Sequence, residues 1–355
     1  MEHLTNAGLS VEVEASVPWR GHHKVSVPAG KVISVPYNKT QSPSGSPRSA
    51  AHRPTPHGDK VRELLQNSKL PSADRPRVQA LLDHYNQWLL DMASLTSTGS
   101  RKVSDLVDLL NAYKERVEVE LIWDSDDSFL YRQKGQLKLD NSVLEEWFPW
   151  LVDPDIMPEL TGISYSVGPA KAFAATHFQS VLSSKSTSPE LAIRSKDQDF
   201  TIGRSTFLKA SFDPDFSPSQ TDIRETYIAY IAAELKTNLD KTMFQEASAT
   251  SHDLSIAAPG SHYFLICEYL DMTPISSAGT DISEVLVLRG KRISSQVRNQ
   301  YSNADYRRTH RDEYVSSVKL TPVRVAVIQR FVDRVRAILQ QQNADLADAV
   351  ERGYF

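Results

Sequence analysis

Apolar residues recur at three- and four-residue steps over three stretches in the first half of this chain. Val61, Leu64 and Leu65 mark one helix, and Val78, Leu81, Leu82, Tyr85, Trp88 and Leu89 mark a second. Val103, Leu106, Leu109, Leu110 and Tyr113 mark a third, and the spacing predicts a helical region over residues 58–160. Within it, the cluster Trp147-Phe148-Pro149-Trp150 follows the cap signal Asp140-Asn141-Ser142 and reads as packing between helices. Ahead of it, residues 1–57 mix short Val-rich alternation with TQSPSGSPRSAAHRPTPH, a stretch too poor in apolar surface to form a core. That composition predicts a mobile arm or linker, in which the adjacent His22 and His23 are solvent-facing rather than a metal site.

Beyond residue 160 the pattern changes to strands alternating with helices. Residues 227–233 (YIAYIAA) form an almost unbroken apolar run, strand-like in its residue types and without alternation, as in a strand buried on both faces. It ends abruptly in Glu234-Leu235-Lys236. Asp240-Lys241-Thr242 then opens a helix expected over residues 241–254. Residues 262–269 (HYFLICEY) and 284–289 (EVLVLR) read as two further strands. Residues 324–339 carry Val325, Ile328, Phe331, Val332, Val335 and Ile338 at helical spacing, as in a C-terminal packing helix. This order predicts an α/β domain over residues 161–355, with a mixed central sheet flanked by helices.

The charged end of the apolar strand is where chemistry enters. Residues two apart on a strand share a face, so Glu234 and Lys236 point the same way. Such charges are costly to desolvate at the end of a buried strand unless they pair or meet a metal. Hydrolysis of a phosphodiester needs a divalent cation that polarises the phosphate and acidifies a water. Mg²⁺ takes oxygen ligands, which Glu234 and the Leu235 carbonyl can supply, while Lys236 can stabilise the developing charge. A second carboxylate is required, and Asp199 stands at the head of a strand-like Phe200-Thr201-Ile202. A second strand is expected over residues 207–212, followed by the loop FDPDFSPSQTD. Asp213, Asp215 and Asp222 in and after that loop are rivals for the role. A bare Glu-x-Lys also occurs in structural ion pairs, so the alternative is a non-catalytic salt bridge.

KDQDFTIG, ELKTNLDKTMFQEASATSHDL and HYFLICEYLDMTPISS resemble the type II restriction endonucleases of the Bpu-ten-I group, within the PD-(D/E)xK nuclease superfamily. The resemblance covers roughly the C-terminal half. It implies a restriction-endonuclease-like core and an Mg²⁺-dependent enzyme cutting double-stranded DNA at a short defined sequence. It places Glu234 and Lys236 as the motif's Glu and Lys, and Asp199 as its upstream Asp, although Gln198 stands where the motif has Pro. It also implies an auxiliary role for Gln245 on the following helix. Members built from two related subunits exist, so a homodimer or a heterodimer with a related second subunit is expected, beside a cognate DNA methyltransferase encoded nearby. Rival readings are a structure-specific repair or mobile-element nuclease of the same superfamily, and a non-catalytic DNA-binding protein.

The net charge of −4 over 355 residues does not advertise a nucleic-acid binder, so phosphate contact must come from a local patch. Residues 289–311 supply one. Arg289, Lys291, Arg292, Arg298, Arg307, Arg308 and Arg311 stand there against the lone acid Asp305, with Asn299 and Gln300 interleaved. Arginine suits phosphates and guanine, and Asn and Gln suit adenine. The single cysteine, Cys267, excludes an intramolecular disulfide and a cysteine-based zinc site, and fits a reducing cytoplasm. No apolar run approaches membrane-spanning length, so a cytoplasmic protein is expected.

Overall fold

The computed structural model describes residues 13–14, 53–135, 138–178, 187–342, 350, 351 and 353. Apart from Val13–Glu14 and residues 53–57, the arm expected over residues 1–57 lies outside them. Helices α1 (Pro56–Gln66), α2 (Arg75–Ala93), α3 (Gly99–Glu115), α4 (Phe129–Gln133) and α5 (Asn141–Trp147) form an N-terminal layer, with α3 running on through Arg116–Trp123 as a π-helix. The apolar stripes read from sequence are their buried faces: Val61 and Leu64, then Val78, Leu81, Tyr85 and Trp88, then Val103, Leu106, Leu110 and Tyr113. A buried carboxylate starts the layer. Glu146 accepts hydrogen bonds from the His57 and Gly58 amides at 2.9 and 3.0 Å, satisfying two open donors of α1, and from the Tyr85 hydroxyl at 2.6 Å.

The sheet contains β1 (Val13–Glu14), β2 (Ser166–Phe178), β3 (Leu191–Ser211), β4 (Thr221–Leu239), β5 (His262–Leu270) and β6 (Ile282–Lys291), in the order β1-β3-β2-β4-β5-β6. It is mixed, as expected. β3 is antiparallel to both β2 and β4, whereas β4, β5 and β6 are mutually parallel. The parallel step from β4 to β5 is bridged by α6 (Lys241–Ala257), whose first turn is capped by Asp240 accepting from the Met243 amide at 2.9 Å. After β6 come three short helices, α7 (Ser295–Gln300), α8 (Ala304–Thr309) and α9 (Arg311–Leu320), and then α10 (Val325–Gln342).

One long strand replaces the two expected around Asp199. β3 pairs with β2 as far as Gly203 and with β4 from Phe200 onward, so it changes partner without ending. At the change, Ile202 faces Ile231 and Gly203 faces Ala229, which leaves Tyr230 as the extra residue of a bulge. Gly203 is needed there: a Cβ would lie 2.1 Å from the Ile228 carbonyl oxygen.

The sheet separates two cores. Phe200, Ile202, Ile231, Ala233, Leu235, Phe264 and Ile266 face the N-terminal layer and α10, where Phe331 stacks edge-on against Phe264 at 5.2 Å. Trp147 and Phe148 belong to this core. On the other face Ala229, Ala232, Tyr263, Leu265 and Cys267 pack against Phe244, Ala247 and Leu254 of α6. Period-two alternation therefore turns Glu234 and Lys236 toward the α6 face, and Leu235 between them toward the helical layer. Among the described residues no helix is long and apolar enough to cross a membrane.

Candidate active site

Phe200 and Ala233 form the innermost pair of the β3–β4 ladder, and Asp199 and Glu234 each stand one residue beyond it. The Asp199 Oδ2 atom accepts a hydrogen bond from the Leu235 amide at 2.8 Å. In an extended strand a residue's N–H and C=O point the same way, so the Leu235 carbonyl also faces the Asp199 side. Glu234 Oε1 lies 2.5 Å from Lys236 Nζ, and Glu234 Oε2 accepts from the Tyr263 hydroxyl at 2.6 Å. Asp199, Leu235 and Lys236 line an open cleft of about 220 Å³ together with Lys138, Asp140 and Asn141, among others, and Glu234 stands behind Lys236 through their ion pair.

Burial pushes the Asp199 carboxyl up to about 6, the Leu235 amide opposes the shift, and the nearby Glu145 carboxylate adds to it. For Lys236 burial disfavours the ammonium, but the Glu234 bond and the charges of Glu234, Asp199 and Glu246 outweigh it and raise its pKa. The carboxylates of Glu234, Asp199 and Glu246 therefore gather their charge around Lys236. Among the described residues no group of three or more His, Cys, Asp or Glu side chains is arranged to hold a metal. Two carboxylates and a carbonyl suit a cation that draws its remaining ligands from water and substrate, as Mg²⁺ does.

The rival carboxylates lie at the far end of the same hairpin, beyond about 30 Å of strand. Asp213 is occupied by the amides of Asp215 and Ser217, both at 3.1 Å, and Asp222 accepts from the Leu191 amide at 3.0 Å. Gln245 is exposed on α6 and does not line the cleft. Its neighbour Glu246 acts on Lys236 instead.

Sequence reasoning missed the α5 side of the cleft. Glu145 is buried there, accepting from Asn141 Nδ2 at 3.0 Å and lying 3.4 Å from Lys138 Nζ. Lys138 has a φ of 50°, a left-handed conformation that costs a residue with a Cβ. Only the cap signal of Asp140-Asn141-Ser142 pointed to this helix start, and nothing in it announces proximity to Asp199.

Residues 136–355, well over half of the chain, match the family model described as Bpu10I restriction endonuclease. The chain belongs to the Bpu10I restriction endonuclease family. It is a site-specific restriction nuclease, and the mixed sheet flanked by helices is its restriction-endonuclease-like core. Among solved structures, a chain of the "native BbvCI A2B2 tetramer at low resolution" is similar at 21% identity, covering 74% of this chain and 96% of that one, with a TM-score of 0.45. No curated protein matches.

In this restriction endonuclease the basic stretch at residues 289–311 divides into buried and exposed members. Arg289 and Arg307 are corrected from DNA-facing to structural, because both side chains are sealed in the interior. Arg289 pairs with Glu118 and Glu268 at 3.0 and 3.1 Å. Arg307 donates to the carbonyls of Trp123, Ser125, Asp127 and Tyr301. Arg292 and Arg298 both reach Asp271, and Arg311 is bidentate on Asp124. Arg308 pairs with Asp305 on the surface, and Lys291, Asn299 and Gln300 are exposed, Lys291 with no ion pair among the described residues. Leu239, Leu270 and Lys291 lie in register at one edge of the sheet, so this segment leaves from the edge toward which Lys236 and Asn238 lead.

Proposed function

We propose that this restriction endonuclease hydrolyses both strands of DNA at a short specific sequence in an Mg²⁺-dependent reaction, leaving 5′-phosphate and 3′-hydroxyl ends. One observation carries the reading: Asp199 and Lys236 line one cleft, Glu234 pairs with Lys236, and the Leu235 amide fixes Asp199. Asp199, Glu234 and the Leu235 carbonyl would hold the cation. When bound, the cation supplies polarisation of the scissile phosphate and a lower pKa for the attacking water. Lys236, freed from Glu234, orients that water and stabilises charge on the non-bridging oxygens. Lys291, Arg308, Asn299 and Gln300 extend from the same edge of the sheet and contact DNA beside the cleft, mostly at phosphates.

One cleft cuts one strand, so a second cleft is needed on an identical or related subunit. A methyltransferase of matching specificity would protect the host. The test is digestion of unmethylated phage DNA by the purified chain with Mg²⁺, beside Glu234→Ala, Lys236→Ala and metal-free controls. Discrete fragments that the variants fail to produce support the reading, and their sequenced ends give the target. Nicks on one strand identify a missing related subunit. Ends sharing no sequence favour structure-specific cutting, and intact DNA with unchanged binding refutes catalysis.

A further inference from the structure

We propose that Tyr263 is a positioning residue for the cleft, holding Glu234 in its cation-binding orientation while Lys236 is released to act on water. The inference rests on the reading of Glu234 as a cation ligand.

The geometry begins with register. Tyr263 on β5 is the direct partner of Ala232 on β4, and Glu234 lies two residues farther along the same face. Side chains on a strand lean along its direction, so a tyrosine opposite residue 232 can carry its hydroxyl over residue 234. The small Ala232 leaves room for the ring. Tyr263 is 2% exposed and packed in the α6-side core, so the ring cannot swing out of this pose. The Glu234 carboxylate is the one acceptor seen for its hydroxyl among the described residues.

The two Glu234 oxygens thus have different partners. Oε2 is held by a buried neutral donor and Oε1 by the half-exposed Lys236. Oε1 is the atom that changes partner when a cation enters. Without the tyrosine hydroxyl, Glu234 would lose its remaining tether as soon as Lys236 let go. The other buried tyrosine bonded to a glutamate, Tyr85 on Glu146, sits in the helical layer away from the cleft and provides a control.

The experiment compares wild type, Tyr263→Phe, Glu234→Gln, the double variant and Tyr85→Phe. Mg²⁺ is titrated into DNA-free protein and followed by the rise in melting temperature. The Mg²⁺ dependence of phage-DNA cleavage is measured alongside. For Y263F the half-saturating Mg²⁺ should rise roughly tenfold in both assays, the worth of one hydrogen bond to a charged group. The cleavage rate at saturating Mg²⁺ should stay near wild type. In the E234Q background Y263F should add nothing, since two changes acting on one group do not sum. Y85F should lower the melting temperature without moving the Mg²⁺ midpoint. If E234Q weakens the Mg²⁺ response and Y263F leaves it within twofold, Tyr263 is merely structural and the inference is overturned. If E234Q leaves the Mg²⁺ response intact, the ligand reading itself fails first.

Discussion

Two charged clusters sit back to back on the sheet, and they use their charges in opposite ways. On the helical face Lys114, Glu118, Glu268 and Arg289 form a closed ring, with Lys114–Glu268 at 2.8 Å, Lys114–Glu118 at 3.3 Å and Arg289–Glu118 at 3.0 Å. Two cations balance two anions, and the Lys114, Glu268 and Arg289 side chains are at most 1% exposed. On the other face Asp199, Glu234 and Lys236 place two acids against one base, with the Lys236 and Glu234 side chains 30% and 21% exposed. Glu268 directly follows Cys267, the residue paired with Lys236, so the clusters are one strand position apart. Balance and burial make the first a fastening between α3 and the sheet. Excess negative charge open to solvent fits the second to the cation-binding role proposed for it. Residue type alone does not distinguish them.

Exchanging their behaviours is the strongest test. Lys114→Met leaves the two buried carboxylates Glu118 and Glu268 to share Arg289 alone and should cost about 3–5 kcal/mol of stability, read from urea unfolding, while the folded fraction still cleaves DNA. Lys236→Ala should do the reverse, lowering cleavage by about 10²- to 10³-fold with little change in the urea midpoint. A large stability loss in K236A would erase the contrast between the clusters. Gly203→Ala forces a Cβ against the Ile228 carbonyl and should cost about 1–3 kcal/mol, with cleavage falling as the strand end shifts.

The carboxyl of Asp199, raised to about 6 chiefly by burial, gives the open cluster a pH signature. Protons compete with the cation below that value, so the Mg²⁺ needed for half-maximal cleavage should rise up to tenfold per unit as pH falls beneath about 6. For the metal-free fold the sign is opposite. A raised carboxyl stabilises it below the unfolded value near 3.8, and that contribution is lost as pH rises through about 6. Asp199→Asn should flatten both dependences. The smallest effects concern the rim: Lys291→Ala and Arg308→Ala should each reduce the salt slope of DNA binding by about one, whereas Arg307→Ala should lower stability instead.

Much of this architecture was legible in the sequence, because periodicity is a local property. The stripes of α2, α3 and α10, the apolar run of β4 and the Asp240 cap of α6 all stand where pattern predicts them. β3 was harder. Gly203-Arg204-Ser205-Thr206 interrupts its apolar pattern and suggests two strands, whereas the backbone continues and only its partner changes. β2, rich in Ala and interrupted by Gly168-Pro169, gives almost no strand signal. Around the candidate site, the positions of Asp199, Glu234 and Lys236 at the inner end of the β3–β4 ladder follow from the strand order. Glu145 and Tyr263 do not, since each acts through a contact between elements that no local spacing records. Arg289 and Arg307 show the complementary error: a count of cations cannot see that two of them are interior.

The bulge at Tyr230 has a consequence for how such a nuclease can vary. A regular antiparallel ladder carries parity: once one residue is assigned a face, every other residue along the strand inherits its side. The extra residue resets that count between the outer hairpin and the cleft. Were Tyr230 to pair regularly with Ile202 while the outer ladder held its register, odd would exchange for even, turning Leu235 toward α6 and driving Glu234 and Lys236 into the helical core. The orientation of the chemistry is thus decided four residues before the first charged group, by a side chain that takes no part in it.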